Sequence, residues 1–384
     1  MFLTRHRIDF ILFAISLAHI SRGIVSVCLP LYLHYINVSL VSMGFIFALA
    51  PMILLILMVV VGAHSDVVGR NRYFSSSFGI ASIVYLSYNF CRSVIGFMVL
   101  NVFDYVAGAM MKGVSIPIII DTTSSKERGR MMGIYTGVYT GALAFGMLIS
   151  GFLIRSISYF WVFVSCSVLS LIGATTSILL RGGHFRKGTN SKDYRKLLDI
   201  SRLDRSLKVI FLTNTIQGFG YGVAEVYILS LFLRSTFKVE PSSIGMIISL
   251  GWLGSAVTAL VAGRLFNECS SKRLYVISGL ASAFSVGSIS IAPTPLIVGV
   301  CYGIFGVMLG ILTPARLKIA TDYASKLERG RDIAISEGGI GLGTMLGAAI
   351  SGLVVLLFGM RVTFVLDGFT FILMAIIAQL FINN

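Results

Sequence analysis

Twelve times along the chain an apolar run long enough to cross a bilayer recurs. The runs fall at 9–33, 41–63, 73–91, 94–120, 131–154, 159–181, 208–233, 242–267, 273–293, 296–321, 332–358 and 361–382. At a rise of 1.5 Å per residue, roughly 20 apolar residues span a hydrocarbon core. Inside that core every backbone amide needs an internal partner, which leaves helices or a closed barrel. These runs are continuous in hydrophobicity rather than alternating, so helices are expected. The composition agrees: 56% of residues are hydrophobic and only 12% charged, where a soluble domain carries about a quarter charged. The 40 glycines suit close helix crossings in lipid. The expected fold is an all-α polytopic membrane protein, with the lipid bilayer as its first partner.

The chain is one unit written twice. Gly62-Ala63-His64-Ser65-Asp66-Val67-Val68-Gly69-Arg70-Asn71-Arg72 forms a polar hinge between two apolar runs, and 201 residues later a second hinge begins at Gly263. At that offset Gly62 meets Gly263, Asp66 meets Asn267 and Arg72 meets Arg273. Gly44 meets Gly245, and Asp121 meets Asp322. Glu127-Arg128-Gly129-Arg130 meets Glu328-Arg329-Gly330-Arg331, and Gly146, Ser150 and Gly151 meet Gly347, Ser351 and Gly352. A series of matches at constant offset in corresponding loops is the mark of duplication, here a parallel repeat about an axis along the membrane normal. The expected division is an N-terminal six-helix bundle (1–181), a basic linker (182–207) and a C-terminal six-helix bundle (208–384), around a central cavity. A short amphipathic helix is expected near 191–205.

The net charge of +15 sits almost wholly on one side. Both termini, both hinges, the loops 121–130 and 322–331 and the linker carry 22 of the 31 basic residues. The opposite side holds Arg92, Arg155, Arg234, Lys238 and Arg361, and Arg22, Lys112, Arg316 and Lys318 fall within spans. This is the positive-inside pattern, so both termini are expected in the cytoplasm and nucleic acid is not an expected partner. Met1–Arg7 followed by an apolar run is read as an uncleaved first helix, because no small-residue cleavage site follows. The five cysteines lie mostly in apolar runs without metal spacing and read as packing residues.

With these features the chain resembles the major facilitator superfamily of secondary transporters over its whole length. The loop signature Gly-x-x-x-Asp-x-x-Gly-Arg-x-Arg between helices 2 and 3 is filled by Gly62, Asp66, Gly69, Arg70 and Arg72. The Arg-Gly-Arg loops after helices 4 and 10 also fit. The resemblance implies a twelve-helix, six-plus-six secondary active transporter of the cell membrane working by alternating access. It also implies a conformational latch of helix-end charges beside the start of helix 11, near Asp332. Its members here would be Gly62, Asp66, Gly69, Arg70, Arg72, Glu127, Arg128, Arg130, Gly263, Arg273, Glu328, Arg329 and Arg331. Asn267 in place of an acid makes the second hinge weaker. Two departures matter. Met147 stands where drug exporters of the family carry proline in helix 5, and Asp104 stands where the family often has arginine in helix 4.

Ionisable groups are costly in hydrocarbon and mark pathways. Arg22 and His19 share one face of helix 1, Lys112 and Asp104 lie on helix 4, and Gln217 and Glu225 on helix 7. Arg316 lies on helix 10, while Lys318 reads as snorkelling to water. The resemblance makes helices 1, 4, 7 and 10 line the cavity; all four carry charge, while helices 3, 6 and 9 carry none in their interiors. Arg22 and Lys112 suit a carboxylate or another small anion, unless Asp104 and Glu225 neutralise them. His19 titrates in the physiological range when unperturbed. Glu225 or Asp104 would carry a coupling proton, since burial and neighbouring charges retune a carboxyl. Glu337 reads as a helix-end acid, and Asp367 in helix 12 has no assigned role.

The leading reading is a proton-coupled carrier of a small organic anion or similar metabolite, acting as a monomer with no metal or cofactor. The second is an exporter of amphipathic toxic compounds, with Phe219, Tyr221, Met110 and Met111 facing the cavity. An enzyme is not expected: the five histidines show no ligand or catalytic spacing. No segment resembles the selectivity filter of a channel.

Overall fold

The computed structural model describes residues 2–122, 128–179, 203–325 and 329–382. Among these it is helical throughout, with no strand. The first six spans are α1 (Phe2–Tyr35), α2 (Leu40–Val68), α3 (Arg70–Ser87), α4 (Val94–Thr122), α5 (Arg128–Ser156) and α6 (Tyr159–Leu179). Span seven is two helices, α7 (Arg205–Ala224) and α8 (Ile228–Thr236). The remaining spans are α9 (Pro241–Glu268), α10 (Ser271–Ser288), α11 (Pro295–Tyr323), α12 (Arg329–Phe358) and α13 (Met360–Phe381). A 3₁₀ turn, Ile289–Ile291, follows α10.

Ten of the spans are long and apolar enough to cross a membrane. The two that fall short do so for different reasons. In α2 only Leu40–Leu54 enters that measure. In α3 serines replace aliphatic residues, and their hydroxyls are consumed by helix pairing. Ser82 bonds Ser167 at 2.8 Å and Ser177 donates to Ser75 at 2.9 Å, tying α3 to α6. The helix starts follow ordinary capping. Ser39 accepts from the Ser42 amide, Asp204 from the Ser206 amide, Ser270 from the Arg273 amide, and Thr294 from the Ile297 amide with Pro295 behind it.

The packing repeats as the sequence does. In the first half α1 packs on α5 and α6, α2 on α4, and α3 on α4 and α6. In the second α7 packs on α12 and α13, α9 on α11, and α10 on α11 and α13. Across the halves α2 meets α12 and α5 meets α9. The repeat-matched glycines sit at equivalent crossings. Gly44 lies against the Ala348 carbonyl and Gly245 against the Met147 carbonyl. Gly151 lies against Pro241 and Gly352 against Leu40. A side chain at any of the four would overlap backbone of the other half, so duplicated glycines mark duplicated crossings.

These crossings pin the halves together at the end opposite the basic loops. Arg155 and Glu240 add an ion pair of 2.9 Å there, one residue from each half. Toward the basic end, Gly133, Gly137 and Gly141 of α5 face open space. The described crossings between the halves are thus concentrated at the end opposite the basic loops.

Three expectations are corrected. The hinge 62–72 is helix, not loop: α2 runs through Val68 and the chain turns at Gly69 alone. Gly69 has φ +111°, a conformation side chains resist, and its amide closes α2 on the Ser65 carbonyl at 2.9 Å. Gly69→Ala is therefore expected to cost about 1–2 kcal/mol, measured as a lower apparent Tm, whereas Gly79→Ala, in open space, is neutral. Likewise the second hinge is helix to Glu268, and Gly62 and Gly263 end no helix. Thirdly, span seven is not continuous but breaks at 225–227. The residues expected to form an amphipathic helix at 191–205 lie outside the described residues up to 202.

Candidate functional site

In the N-terminal half the charges of α1 and α4 meet in mid-bundle. The Arg22 Nη2 lies 3.4 Å from Asp104 Oδ2 and donates to the Asp104 carbonyl at 3.3 Å. Gly108, one turn along α4, leaves the space that the guanidinium fills. Tyr85 of α3 donates to the other Asp104 oxygen at 3.0 Å, and Arg22 stands 5.1 Å from the ring centre of Tyr105. Asp104 is thus held from three sides by Arg22, Tyr85 and its helix, beside a cavity of about 20 Å³. The inverted charge in helix 4 finds its partner in helix 1.

Lys112 lies two turns further along α4, and no carboxylate among the described residues pairs with it. Its Nζ donates to the Tyr139 hydroxyl at 3.3 Å and sits 5.0 Å from that ring's centre. His19 is fully buried, edge-on to Tyr139 with centroids 4.3 Å apart, and neither ring nitrogen has a hydrogen-bond partner. It lies within electrostatic reach of both Lys112 and Arg22. Arg22, His19, Lys112 and Asp104 are therefore one cluster.

The C-terminal half separates what the sequence grouped together. Gln217 and Asn214 do not join Glu225. The Arg316 Nη1 donates to Gln217 at 3.0 Å, and its Nη2 pairs with Glu337 at 2.8 Å. Asn214 donates to the Ser336 carbonyl at 2.8 Å and to Glu337 at 3.4 Å. Arg316 is buried and neutralised, so Glu337 is its counter-ion rather than only a helix-end acid.

Glu225 belongs to a different group. The Tyr302 hydroxyl donates to its Oε2 at 3.0 Å, and Tyr221, Trp252 and Phe305 enclose a cavity of about 60 Å³ beside it. Its second neighbour is Asp367 of α13, fully buried and in electrostatic contact with it. Gly220 of α7 leaves room for the Asp367 carboxyl. Sequence reasoning left Asp367 without a role. The available signal was its cost: one carboxyl in an otherwise apolar last span. Tyr85, Tyr139 and Tyr302 were also missed, since an isolated tyrosine in an apolar run reads as packing.

Glu225 closes α7, its amide bonded to the Tyr221 carbonyl at 2.9 Å. The Val226 amide reaches the same carbonyl at 3.3 Å, and α8 starts after Tyr227. Tyr227 fixes the break. Its hydroxyl bonds the Leu40 carbonyl at 3.0 Å and Ser351 Oγ at 2.6 Å, and its ring stacks on Phe47 at 5.4 Å. Leu40 and Phe47 belong to the other half. The repeat sharpens this point. Glu225 corresponds to Ile24, where α1 stays helical and Ser150 simply bonds the Ile24 carbonyl at 3.0 Å. Ser351, the mate of Ser150, serves Tyr227 instead.

Of the methionines named for the drug-facing reading, Met110 is buried in the core of the first half, whereas Met111 packs there and also lines the small cavity beside Arg22 and Asp104. Tyr221 is better placed, within electrostatic range of Tyr105 and Tyr139 across the two halves. Of the latch, Glu127 and Glu328 lie outside the described residues, as do the side chains of Gly62, Asp66, Arg128, Arg130, Gly263, Arg329 and Arg331. Gly69, Arg70, Arg72 and Arg273 lie at the starts of α3 and α10. Asp332, in the first turn of α12, is buried and accepts from the Ser325 amide at 3.0 Å.

Among the described residues no cluster of three or more histidine, cysteine or acidic side chains could hold a metal ion. The family model for the Major Facilitator Superfamily matches residues 11–209 and 210–384. Multidrug resistance protein 2 of Bacillus subtilis is 26% identical over 88% of this chain and 86% of its own length. The human organic anion transporter MFSD10 (TETRAN) superposes with a TM-score of 0.72, at 14% identity, over 98% of this chain and 99% of that one. A bacterial homologue of the human lysosomal transporter Spinster, in an inward-facing, unoccupied conformation, gives 0.74 at 14% identity over 98% and 96%. A twelve-span duplicated helical fold, polar clusters inside each half and a family match along its whole length lead to one assignment: the chain is an integral membrane protein of the major facilitator superfamily, a transporter and not an enzyme.

Proposed function

We propose that this transporter carries a small organic anion bound at Lys112, coupled to protons. What carries the reading is the charge balance of the first half. Asp104 answers Arg22 at 3.4 Å, whereas Lys112 is met only by the hydroxyl and ring of Tyr139. An ammonium in mid-span without a counter-ion is costly, and a substrate carboxylate would remove that cost. The sequence divided this role between Arg22 and Lys112; the ion pair shifts it to Lys112, with Arg22 holding Asp104. Tyr105, Tyr139 and Tyr221 supply ring faces and hydroxyls on both sides of the substrate. Similarity to a human organic anion transporter agrees with this choice at the level of fold.

The end that is pinned by Arg155–Glu240 and the paired glycines is the outer end, if the basic loops are cytoplasmic. Both termini then lie on the cytoplasmic side of the cell membrane, the outer end is the one held closed, and the carrier acts as a monomer. The basic helix ends around Gly69, Arg70, Arg72 and Arg273 would form the latch that holds the opposite, outward-open form.

The test is a thermal-shift screen of the purified protein with carboxylates, phosphates, amino acids, sugars and cationic dyes. A ligand at 100 times its Kd stabilises by about 2.7 kcal/mol. The expected result is stabilisation by one class of carboxylate, lost in Lys112→Ala and weakened in Tyr139→Phe. Stabilisation by carboxylates that survives Lys112→Ala would remove the proposed site.

A second reading is export of cationic toxic compounds. It is favoured by the match to a multidrug resistance protein along most of the chain and by the two carboxyls on the second half. Stabilisation by lipophilic cations alone, and drug sensitivity of a strain lacking the gene, would favour it over the anion reading.

A further inference from the structure

We infer that Glu225 and Asp367 together hold one exchangeable proton, and that releasing it frees Tyr227 and opens the outer end of the transporter. The inference rests on the proton coupling proposed above and names its site and its mechanical output.

The site is defined by what is missing around two acids, Asp367 buried and Glu225 half-buried beside the cavity. Asp367 is fully buried and neither of its oxygens has a hydrogen-bond partner. The Glu225 Oε1 is likewise buried and unpartnered. Nearby donors are already committed. The Tyr302 hydroxyl serves Glu225 Oε2, and the Thr370 hydroxyl serves the Asp367 carbonyl. Among the described residues no cation is paired with either acid. The groups that act on Glu225 are Asp367 and Tyr302, and those that act on Asp367 are Glu225 and Thr370. From α7 the cavity receives Tyr221, from α9 Trp252 and Ser255, and from α11 Tyr302, none of them charged at neutral pH. Arg316, the basic residue of α11 nearest in the fold, is paired to Glu337.

Two facing carboxylates without a cation are costly where one of them is fully buried. One proton resolves the conflict: bound to one carboxyl, it becomes the donor that the other accepts. Deprotonation breaks that O–H bond, passes the proton to solvent and leaves two negative charges in the bundle. They then need either separation or water.

The position of Glu225 turns that need into motion. It is the first residue of the break in span seven, capping α7, and Tyr227 is two residues on. Tyr227 binds the Leu40 carbonyl and stacks on Phe47, so it fastens the second half to the first at the closed end. A broken helix has few backbone hydrogen bonds to lose when it reorients. Repulsion at Glu225 therefore acts on a segment that is already uncoupled from α7, and opening the outer end gives both carboxylates access to water. The equivalent stretch of α1 has neither acid nor break, so the switch belongs to one half only.

The experiment reads this without any substrate. Nitroxides are placed at Phe90→Cys and Ile291→Cys, repeat mates exposed at the outer ends of the two halves, on full-length protein with its native cysteines replaced. Their separation is followed by double electron–electron resonance in lipid nanodiscs from pH 5 to pH 9, while Trp252 fluorescence follows the cavity in a Trp161→Phe protein. We expect a longer outer distance at high pH and a Trp252 titration with the same midpoint. Glu225→Gln and Asp367→Asn should each hold the short distance at every pH. Tyr227→Phe should keep the Trp252 titration but detach it from the distance change. If either acid variant fails to fold, Tyr302→Phe supplies the check, because removing the hydroxyl from Glu225 must displace the midpoint. A wild-type distance that ignores pH, a pH response that persists in both acid variants, or a response to sodium ions in place of pH would overturn the inference. Lys112→Ala is expected to leave the pH response in place, so failure of the anion site and failure of the proton site give different results.

Discussion

Asp104→Asn is expected to be the most destabilising single isosteric change in the first half. It leaves Arg22 charged, 19% exposed at its side chain, and without its carboxylate. Removing one partner of a buried pair costs about 3–5 kcal/mol, because the survivor stays uncompensated. The cavity beside the pair admits some hydration, which favours the lower end of that range. In detergent the apparent Tm should fall by about 5 °C or more. The double variant Arg22→Leu with Asp104→Leu should recover most of that loss, since replacing a whole buried pair by apolar residues is often neutral. A single variant as stable as the wild type would show that the pair is not formed. Anion binding gives a separate reading: if Lys112 is the anchor, the double variant keeps binding even though its nearest acid and arginine are gone.

The second large effect is conformational. Gly151→Leu combined with Gly352→Leu should prevent closure of the outer end without unfolding either half. Each side chain would overlap backbone contributed by the other half, at Pro241 and at Leu40. Overpacking of this kind costs about 1–3 kcal/mol per site. Two sites at mid-range move the closed population by about 100-fold or more. Transport should then be lost, while an engineered cysteine at the outer mouth becomes reactive. Gly306→Leu is the contrast, because its neighbour is Gly251 within the same half. That change should lower stability in every conformation. If the Gly151 and Gly352 variants instead aggregate as Gly306→Leu does, these crossings are structural rather than a gate.

The exposed ion pair Arg155–Glu240 deserves a smaller weight than its 2.9 Å length suggests. Both side chains are more than half exposed, and such pairs contribute about 0–1 kcal/mol. Closure at the end opposite the basic loops is held mainly by glycine crossings and by Tyr227, which is buried and bonded on both sides.

Much of this molecule is legible in one dimension because the bilayer permits so few solutions. A run of apolar residues in lipid must be a helix, so Val94–Thr122 and Met360–Phe381 are found with little error. Duplication is equally plain, since offset identities do not depend on packing. The loop signature singled out Gly69, yet only the backbone showed why: it alone carries the positive φ, while the polar residues before it remain helical. Polarity had been taken for a loop, but at a helix end beyond the hydrocarbon a polar sequence continues as helix at no penalty.

The charges within the spans were visible as costs, and which helices carried them followed from the sequence. Which charge answers which did not. Asp104 with Arg22, Arg316 with Glu337 and Glu225 with Asp367 join residues 82, 21 and 142 positions apart, and no local periodicity encodes those pairings. They depend on how helices rotate and cross. The break at 225–227 is the extreme case. It contains neither glycine nor proline, and its local sequence, Ala224-Glu225-Val226-Tyr227-Ile228, reads as unbroken helix. Tertiary bonds from Tyr227 to Leu40 and Ser351 override that propensity. The sequence by itself therefore determined the membrane, the spans, the repeat and the inventory of charge, because each follows from transfer free energies counted residue by residue. Tertiary structure decided which charges are neutralised, which of the described ones stay unpaired, and where span seven breaks, because those depend on distances between residues far apart in the chain.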